Sequence, residues 1–136
     1  MVDGSINHIG IATSSLDDSE PIWTALGFTS EDDQVVVDQG VKIRYMKGEG
    51  DVRIELLEPL TESSPLGRFL SRRGPGVQQI AVNVSNIEEK IEQLRSMGMR
   101  MVNNEPVPGS DGQRIAFVHP SSTGGVLVEL VENFKR

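Results

Sequence analysis

The sequence predicts an α+β protein built from two repeated βαβββ modules. First, a shift of 71 residues aligns residues 7–16 with 78–87, and shifts of 72 and 74 align two later pairs of segments. Second, each half contains strand-like runs flanked by turn residues. Third, a helical segment follows the first strand of each half and ends at a matching glycine, Gly27 or Gly98. These observations together favour two copies of one unit over an unrepeated fold.

The first module is expected over residues 5–60 of a single domain that spans residues 1–136. Its helix is weakly marked; we expect it to begin near Ser19, with Pro21 in the first turn, and to end at Gly27. Strand composition is found in the runs "INHIGIA", "DQVVVD", "VKIRYMK" and "DVRIELLE".

The second module is expected over residues 77–133, after a short linking helix in residues 63–74. Ser85 and Glu88 have the spacing of a capping box, which predicts where its helix begins. An apolar helix face follows at Ile87, Ile91 and Leu94. Strand composition is found in "VQQIAVNV", "MRMVN", "QRIAFVH" and "GVLVELVE".

Composition limits the classes of function. The net charge of -7 and pI near 4.8 disfavour nonspecific binding to nucleic acids or anionic membranes, so a small-molecule partner is expected. No apolar run is long enough for a membrane span, and the N-terminus lacks the pattern of a signal peptide, which predicts a cytoplasmic protein. The absence of cysteine excludes disulfides and thiolate ligands. A bound metal would therefore have nitrogen and oxygen ligands.

Four polar positions are related by the repeat. Strand side chains alternate between two faces, so His8 lies opposite the face that Ile9 and Ile11 present to the helix. The repeat aligns His8 with Gln79. It also aligns Glu55 with Glu129, both on the face that apolar residues avoid.

A metal site is the interpretation that explains this coincidence. His8, Glu55, Gln79 and Glu129 form an N/O set that suits a six-coordinate divalent ion such as Co, Ni, Mn, Zn or Mg. The alternatives are that His8 is a structural residue with its hydrogen bonds satisfied and that the strand glutamates are solvated. We interpret Glu58 and Glu132 as solvated. His119 aligns with Lys47, which is not a ligand type, so His119 is interpreted as structural.

Several motifs resemble the vicinal oxygen chelate (glyoxalase/bleomycin resistance/dioxygenase) superfamily and, within it, the methylmalonyl-CoA epimerases. They include "HIGIA", "QGV", "IELLEPL" and "GGVLVELVE". The resemblance implies a curved mixed sheet around a central cleft, with metal ligands on the first and fourth strands of each module. Those positions match His8, Glu55, Gln79 and Glu129. The resemblance further implies a homodimer.

Two positions depart from the epimerase pattern. Gln79 stands where the epimerases normally have a second histidine, and Ile43 stands where they have an acidic residue that transfers a proton. Inversion of a carbon by proton transfer requires a base on one face and an acid on the other. Glu129 is the candidate ligand and base, and the second proton carrier is unidentified.

Three functions follow as hypotheses. The first is a metal-dependent epimerase that removes the proton alpha to a carbonyl of an acyl-CoA or related substrate through a metal-stabilised enolate. Arg72, Arg73 and Lys47 are candidate contacts for CoA phosphates. The second is a glyoxalase-like or pathway-specific metal-dependent isomerase or lyase, which Ile43 favours. The third is a metal-free small-molecule binding protein resembling drug resistance proteins, which the scarcity of aromatic residues disfavours.

Overall fold

The computed structural model describes residues 4–133, which fall into two compact units. One unit comprises His8–Gln78. The other comprises the chain from Gln79 onward together with the residues that precede His8. The module boundaries expected from the sequence, 5–60 and 77–133, stay a prediction.

The first unit contains one mixed sheet and two helices. In chain order its elements are β1 (Ile6–Ala12), α1 (Leu16–Ala25), β2 (Thr29–Ser30), β3 (Gln34–Val36), β4 (Val41–Lys47), β5 (Arg53–Pro59) and α2 (Pro65–Arg73). Strand β5 lies between β1, to which it is parallel, and β4, to which it is antiparallel. The short strands β2 and β3 both pair with β4. Helix α2 confirms the predicted linking helix.

The second unit repeats this arrangement. Its elements are β6 (Gly76–Asn83), α3 (Ile87–Ser96), β7 (Val107–Pro108), β8 (Arg114–Val118) and β9 (Leu127–Glu132). Strand β9 is parallel to β6 and antiparallel to β8, and β7 pairs with β8. The α+β class is confirmed, as is the prediction that each half has a strand, a helix and further strands.

The alternation of side chains agrees with the predicted parity. In the first unit, Ile54 and Leu56 of β5 pack with Leu16 of α1. In the second, Leu130 of β9 packs with Ile87 of α3. These apolar strand positions therefore form two helix-facing cores. The prediction that apolar residues avoid the opposite face is wrong, because buried clusters also lie there: Ile43, Tyr45 and Leu57 with Leu66 of α2 in the first unit, and Ala81, Ile115 and Val131 in the second.

The starts of both long helices differ from the prediction. The residue that caps α3 is Asn86, whose side chain accepts a hydrogen bond from the Glu89 amide at 3.1 Å and donates to the Glu89 carboxylate at 3.1 Å. The predicted capping box at Ser85 and Glu88 is wrong by one residue. Asparagine caps as well as serine does, so the two registers were equally compatible with the local sequence.

Helix α1 begins earlier than expected, at Leu16 rather than near Ser19. Ser15 caps it by accepting a hydrogen bond from the Asp18 amide at 3.2 Å. Pro21 consequently lies inside the helix and not in its first turn. A proline there costs one backbone hydrogen bond, and the capped and anchored first turn compensates for this loss.

The strand predictions were right for the long strands and wrong at the edges. The run "DQVVVD" forms only β3, because Val37–Gln39 turn into a 3-10 helix. The run "MRMVN" is not a strand, since Met101 makes a single bridge to Val118. The two-residue strands β2 and β7 were not predicted. Such short segments are determined by pairing with a neighbouring strand rather than by their own composition.

Glu58 and Glu132 are repeat-related helix anchors, so the interpretation of them as merely solvated is wrong. The Glu58 carboxylate accepts a hydrogen bond from the Leu16 amide at 3.0 Å, and Glu132 accepts one from the Ile87 amide at 2.9 Å. Leu16 and Ile87 are the first residues of α1 and α3. A carboxylate at this position satisfies a free N–H group and is favoured by the helix dipole.

We predict that Glu58→Ala lowers the free energy of unfolding by about 1–2 kcal/mol, because α1 loses a charge-assisted hydrogen bond at its first amide. Urea unfolding followed by circular dichroism measures the loss. Glu49→Ala, at an exposed loop position, is the matched control. Equal stability of the two variants would contradict an anchoring role for Glu58.

Arg44 connects β4 to α1 and to the loop before β3. Its guanidinium donates to Asp33 at 2.8 Å, to Asp17 at 2.9 Å and to Glu20 at 3.0 Å. The hydrogen bond from Arg44 lowers the pKa of Asp33 below its ordinary value, and the same bond raises the pKa of Arg44. The pair of Asp33 and Arg44 therefore stays ionised in the neutral pH range.

Among the helices of residues 4–133, none has the length and apolar character that crossing a bilayer requires.

Candidate metal and active site

The first predicted pair of ligands, His8 and Glu55, is in contact within the first unit. Strands β1 and β5 pair so that Gly10 lies opposite Glu55, and this register brings His8 beside the glutamate. His8 Nδ1 lies 3.1 Å from Glu55 Oε2, and each side chain is only 3% exposed. A buried carboxylate requires a polar or charged partner, and the imidazole is one such partner.

Arg53 is a second partner of Glu55 that the sequence reasoning missed. It lies directly opposite His8 in the sheet, and its Nη2 donates to Glu55 Oε2 at 3.2 Å. Its guanidinium lies over the ring of Tyr45, 4.8 Å from the ring centroid. The signal was available, because residues 53 and 55 share a strand face by parity. We call His8, Glu55, Arg53 and Tyr45 the first half-site.

The second predicted pair of ligands, Gln79 and Glu129, is in contact within the second unit. Strand β6 places Ala81 opposite Glu129, as β1 places Gly10 opposite Glu55. Gln79 Nε2 donates to Glu129 Oε1 at 2.8 Å, and both residues are buried. We call Gln79 and Glu129 the second half-site.

The two half-sites share one plan and differ in charge. In each, a carboxylate near the centre of the last strand contacts a nitrogen-bearing side chain from the first strand. Tyr45 lies beside Glu55, and Phe117 occupies the corresponding place beside Glu129. By the repeat, Arg53 corresponds to Leu127. Glu55 therefore has a cation beside it, whereas the corresponding neighbour of Glu129 is apolar.

The donor types fit a divalent ion. Imidazole nitrogen and carboxylate and amide oxygens are ligands for Mn, Co, Ni or Zn, and the oxygens also suit Mg. Within residues 4–133, no group of three or more His, Asp and Glu side chains is placed to hold a metal. Each half-site supplies two ligand-type side chains, so the four-residue metal site remains a prediction.

Ile43 stands at the position where an acidic proton carrier was sought, and its side chain is buried. It is buried on the same face of the sheet as Tyr45, in a cluster with Leu57 and with Leu66 of α2. An isoleucine there packs helix α2 against the sheet and can neither give nor take a proton. The cluster shows why the position is filled by a hydrophobic side chain in this chain.

His119 is structural, as predicted. Its Nδ1 accepts a hydrogen bond from the Ser121 amide at 3.0 Å and lies 2.8 Å from the Ser121 hydroxyl. These contacts cap a short 3-10 helix at Pro120–Ser122. The role of His119 is therefore to stabilise this turn.

The candidate phosphate contacts lie at the ends of two elements. Arg72 and Arg73 form the last turn of α2, and Lys47 is the last residue of β4. The Arg73 guanidinium lies over the Phe69 ring at 5.7 Å. Cations at a helix C-terminus are favoured by the dipole, which supplies a structural reason for the two arginines. Their role toward CoA stays a prediction.

Residues 7–117 match the family described as the glyoxalase/bleomycin resistance protein/dioxygenase superfamily. The chain belongs to this superfamily. This membership confirms the predicted vicinal oxygen chelate fold.

Its relatives include methylmalonyl-CoA epimerases of known structure. The epimerase of Mycobacterium tuberculosis is 37% identical, with a TM-score of 0.93 over 98% of this chain and 91% of that one. A variant of the Streptomyces coelicolor epimerase, in complex with 2-nitronate-propionyl-CoA, is 35% identical, with a TM-score of 0.91 over 96% and 95% of the two chains. The uncharacterized protein YqjC of Bacillus subtilis is 35% identical over 93% of this chain and 91% of its own.

Proposed function

We propose that the protein is a metal-dependent epimerase that exchanges the proton alpha to the carbonyl of a 2-carboxyacyl-CoA thioester such as methylmalonyl-CoA. The observation that carries this proposal is the pair of buried carboxylates, Glu55 and Glu129, at repeat-related positions of a superfamily domain. The similarity to methylmalonyl-CoA epimerases supports the choice of substrate. A cytoplasmic location and a homodimer complete the proposal, the latter by analogy with the superfamily.

The proposed cofactor is one divalent ion, for which His8, Glu55, Gln79 and Glu129 are the ligands. When bound, such an ion supplies a Lewis acid that stabilises the negative charge that develops on the carbonyl oxygen during deprotonation. The contacts within each half-site support the assignment, because second partners orient metal ligands and set their rotamers. Arg53 does this for Glu55, with which it forms a 3.2 Å contact.

Glu129 is the proposed base. Its carboxylate accepts a hydrogen bond from the neutral amide of Gln79, and Phe117 lies opposite Glu129 in the sheet. Gln79 fixes the direction of the carboxylate through the 2.8 Å hydrogen bond. Glu55 instead accepts a hydrogen bond from the guanidinium of Arg53.

A metal-dependent isomerase or lyase of glyoxalase type is the second candidate, and Ile43 favours it. The acid expected at this position of an epimerase is replaced by a buried hydrophobic side chain. With one proton carrier instead of two, removal and return of the proton on the same face is the simpler chemistry.

The test measures metal content and proton exchange on the same samples. Chelator-treated protein is dialysed against Co²⁺ and analysed for metal, alongside Glu55→Gln and the exposed control Glu92→Gln. Exchange of the alpha proton of methylmalonyl-CoA is then followed in deuterium oxide by NMR. We expect about one Co²⁺ per chain and exchange in the wild type and in Glu92→Gln, with weaker Co²⁺ binding in Glu55→Gln. Absence of stoichiometric metal from the wild type would refute the metal site.

The stereochemical outcome separates the two metal-dependent candidates. Epimerisation converts one enantiomer of methylmalonyl-CoA into the other as deuterium enters. Exchange with retention of configuration would support the same-face chemistry of the second candidate. Metal binding without any exchange would argue against methylmalonyl-CoA as substrate.

A further inference from the structure

We propose that Arg53 binds the free carboxylate of the acyl group and thereby selects 2-carboxyacyl thioesters over simple acyl thioesters. This inference rests on the proposed function, because it takes the first half-site as part of the substrate site. It adds a specificity residue that neither the ligand set nor the proposed base includes.

The position of Arg53 places a cation at the first half-site. In the sheet it pairs with His8, and it precedes Glu55 by two residues, so all three side chains leave the same face. The contact between Arg53 Nη2 and Glu55 Oε2 shows that the guanidinium points along the strand toward the glutamate. A ligand group that contacts Glu55 Oε2 therefore lies close to this guanidinium.

The exposure of the three side chains forms a gradient. The Arg53 side chain is 21% exposed, whereas those of His8 and Glu55 are each 3% exposed. Of the three side chains, that of Arg53 is thus the most accessible to solvent. A residue in that place meets an incoming anion and is still sufficiently shielded for a charged hydrogen bond to be strong.

Tyr45 supports the orientation of the guanidinium. The Arg53 Cζ lies 4.8 Å from the centroid of the Tyr45 ring, and Tyr45 is itself buried. This cation–π contact restrains the long arginine side chain and reduces the entropy lost when it binds an anion. A planar guanidinium held in this way is well suited to a carboxylate, which it can bind through two parallel N–H groups.

The asymmetry of the repeat supports recognition rather than a purely structural role. Glu129 is also buried, and the position on its own strand that corresponds to Arg53 is Leu127. A buried glutamate in this fold therefore does not require an arginine two residues before it. At this repeat position the first unit has a cation and the second has an apolar side chain, so the first half-site is the one suited to the carboxylate end of a substrate.

Equilibrium binding of two ligands that differ in one carboxylate tests the proposal. Malonyl-CoA and acetyl-CoA are titrated by calorimetry into Co²⁺-treated wild type, Arg53→Gln, Arg53→Lys and the control Arg68→Gln. We expect Arg53→Gln to bind malonyl-CoA about 10- to 100-fold more weakly, as for loss of a hydrogen bond to a charged group, and acetyl-CoA unchanged. Arg53→Lys should recover part of the preference, and Arg68→Gln should match the wild type.

Metal content of each variant distinguishes recognition from support of Glu55. If Arg53→Gln loses Co²⁺ and weakens both ligands equally, Arg53 acts through Glu55 and the proposal is overturned. It is also overturned if the wild type shows no preference for malonyl-CoA, or if it binds neither ester. If the preference depends on Arg53 while methylmalonyl-CoA shows no proton exchange, the recognition role stands and the proposed reaction fails.

Discussion

Glu129→Gln is expected to slow alpha-proton exchange by about 1000-fold. The substitution preserves the size of the side chain and an oxygen that can accept the hydrogen bond from Gln79, but it removes the proposed proton acceptor. Loss of a general base typically costs 100- to 10,000-fold in rate. The measurement is the initial rate of deuterium incorporation into methylmalonyl-CoA at saturating substrate.

Metal analysis of the same variant separates the two roles of Glu129. If Glu129→Gln retains Co²⁺ and loses exchange, the carboxylate acts as the base. If metal and exchange are lost together, its role as ligand dominates, and the base must be sought elsewhere. Glu92→Gln makes the same chemical change at an exposed position of α3 and should leave both quantities at the wild-type value. An exchange rate in Glu129→Gln equal to that of the wild type would refute the assignment.

Gly67→Ala should produce the largest loss of stability among the substitutions considered, about 3 kcal/mol. A Cβ at position 67 would lie 2.5 Å from the carbonyl oxygens of both Thr61 and Glu62. These are backbone atoms, so the contact is relieved only if helix α2 or the turn before it moves. That movement would disturb the packing of Leu66 against the sheet cluster of Ile43 and Tyr45.

Chemical denaturation monitored by Trp23 fluorescence and by circular dichroism measures this loss. Ser71→Ala, at an exposed position of the same helix, controls for the change in helix propensity. Alanine favours helix over glycine, so propensity alone predicts that Gly67→Ala is stabilising. Wild-type or higher stability of Gly67→Ala would show that α2 adjusts freely and that the close approach at Gly67 has no cost.

The superfamily fold accounts for the relation between the two half-sites. Each unit places a parallel pair, β1 with β5 or β6 with β9, so that the carboxylate lies opposite a small residue, Gly10 or Ala81. The small residue leaves room beside the carboxylate, and the polar side chain two positions earlier fills part of it. Each unit thus has a pair of ligand-type side chains arranged on the same plan.

The sequence by itself was sufficient to identify the repeat, to predict the fold class and to select the four candidate ligands. Strand alternation depends only on backbone geometry, so the parity of residues 8, 55, 79 and 129 could be read without tertiary contacts. The same reasoning predicted the helix-facing cores. The sequence also predicted that the two long helices end at Gly27 and Gly98. Both glycines have a positive φ, which favours glycine at such a position.

Only the tertiary structure determines which partners the charged side chains have. The use of Glu58 and Glu132 as helix anchors depends on contacts between residues 42 and 45 positions apart. The stacking of Arg53 on Tyr45 beside Glu55 likewise depends on how β4 and β5 pair. Local sequence determines which face a residue occupies, whereas strand register and helix packing determine which of several equivalent polar groups it meets.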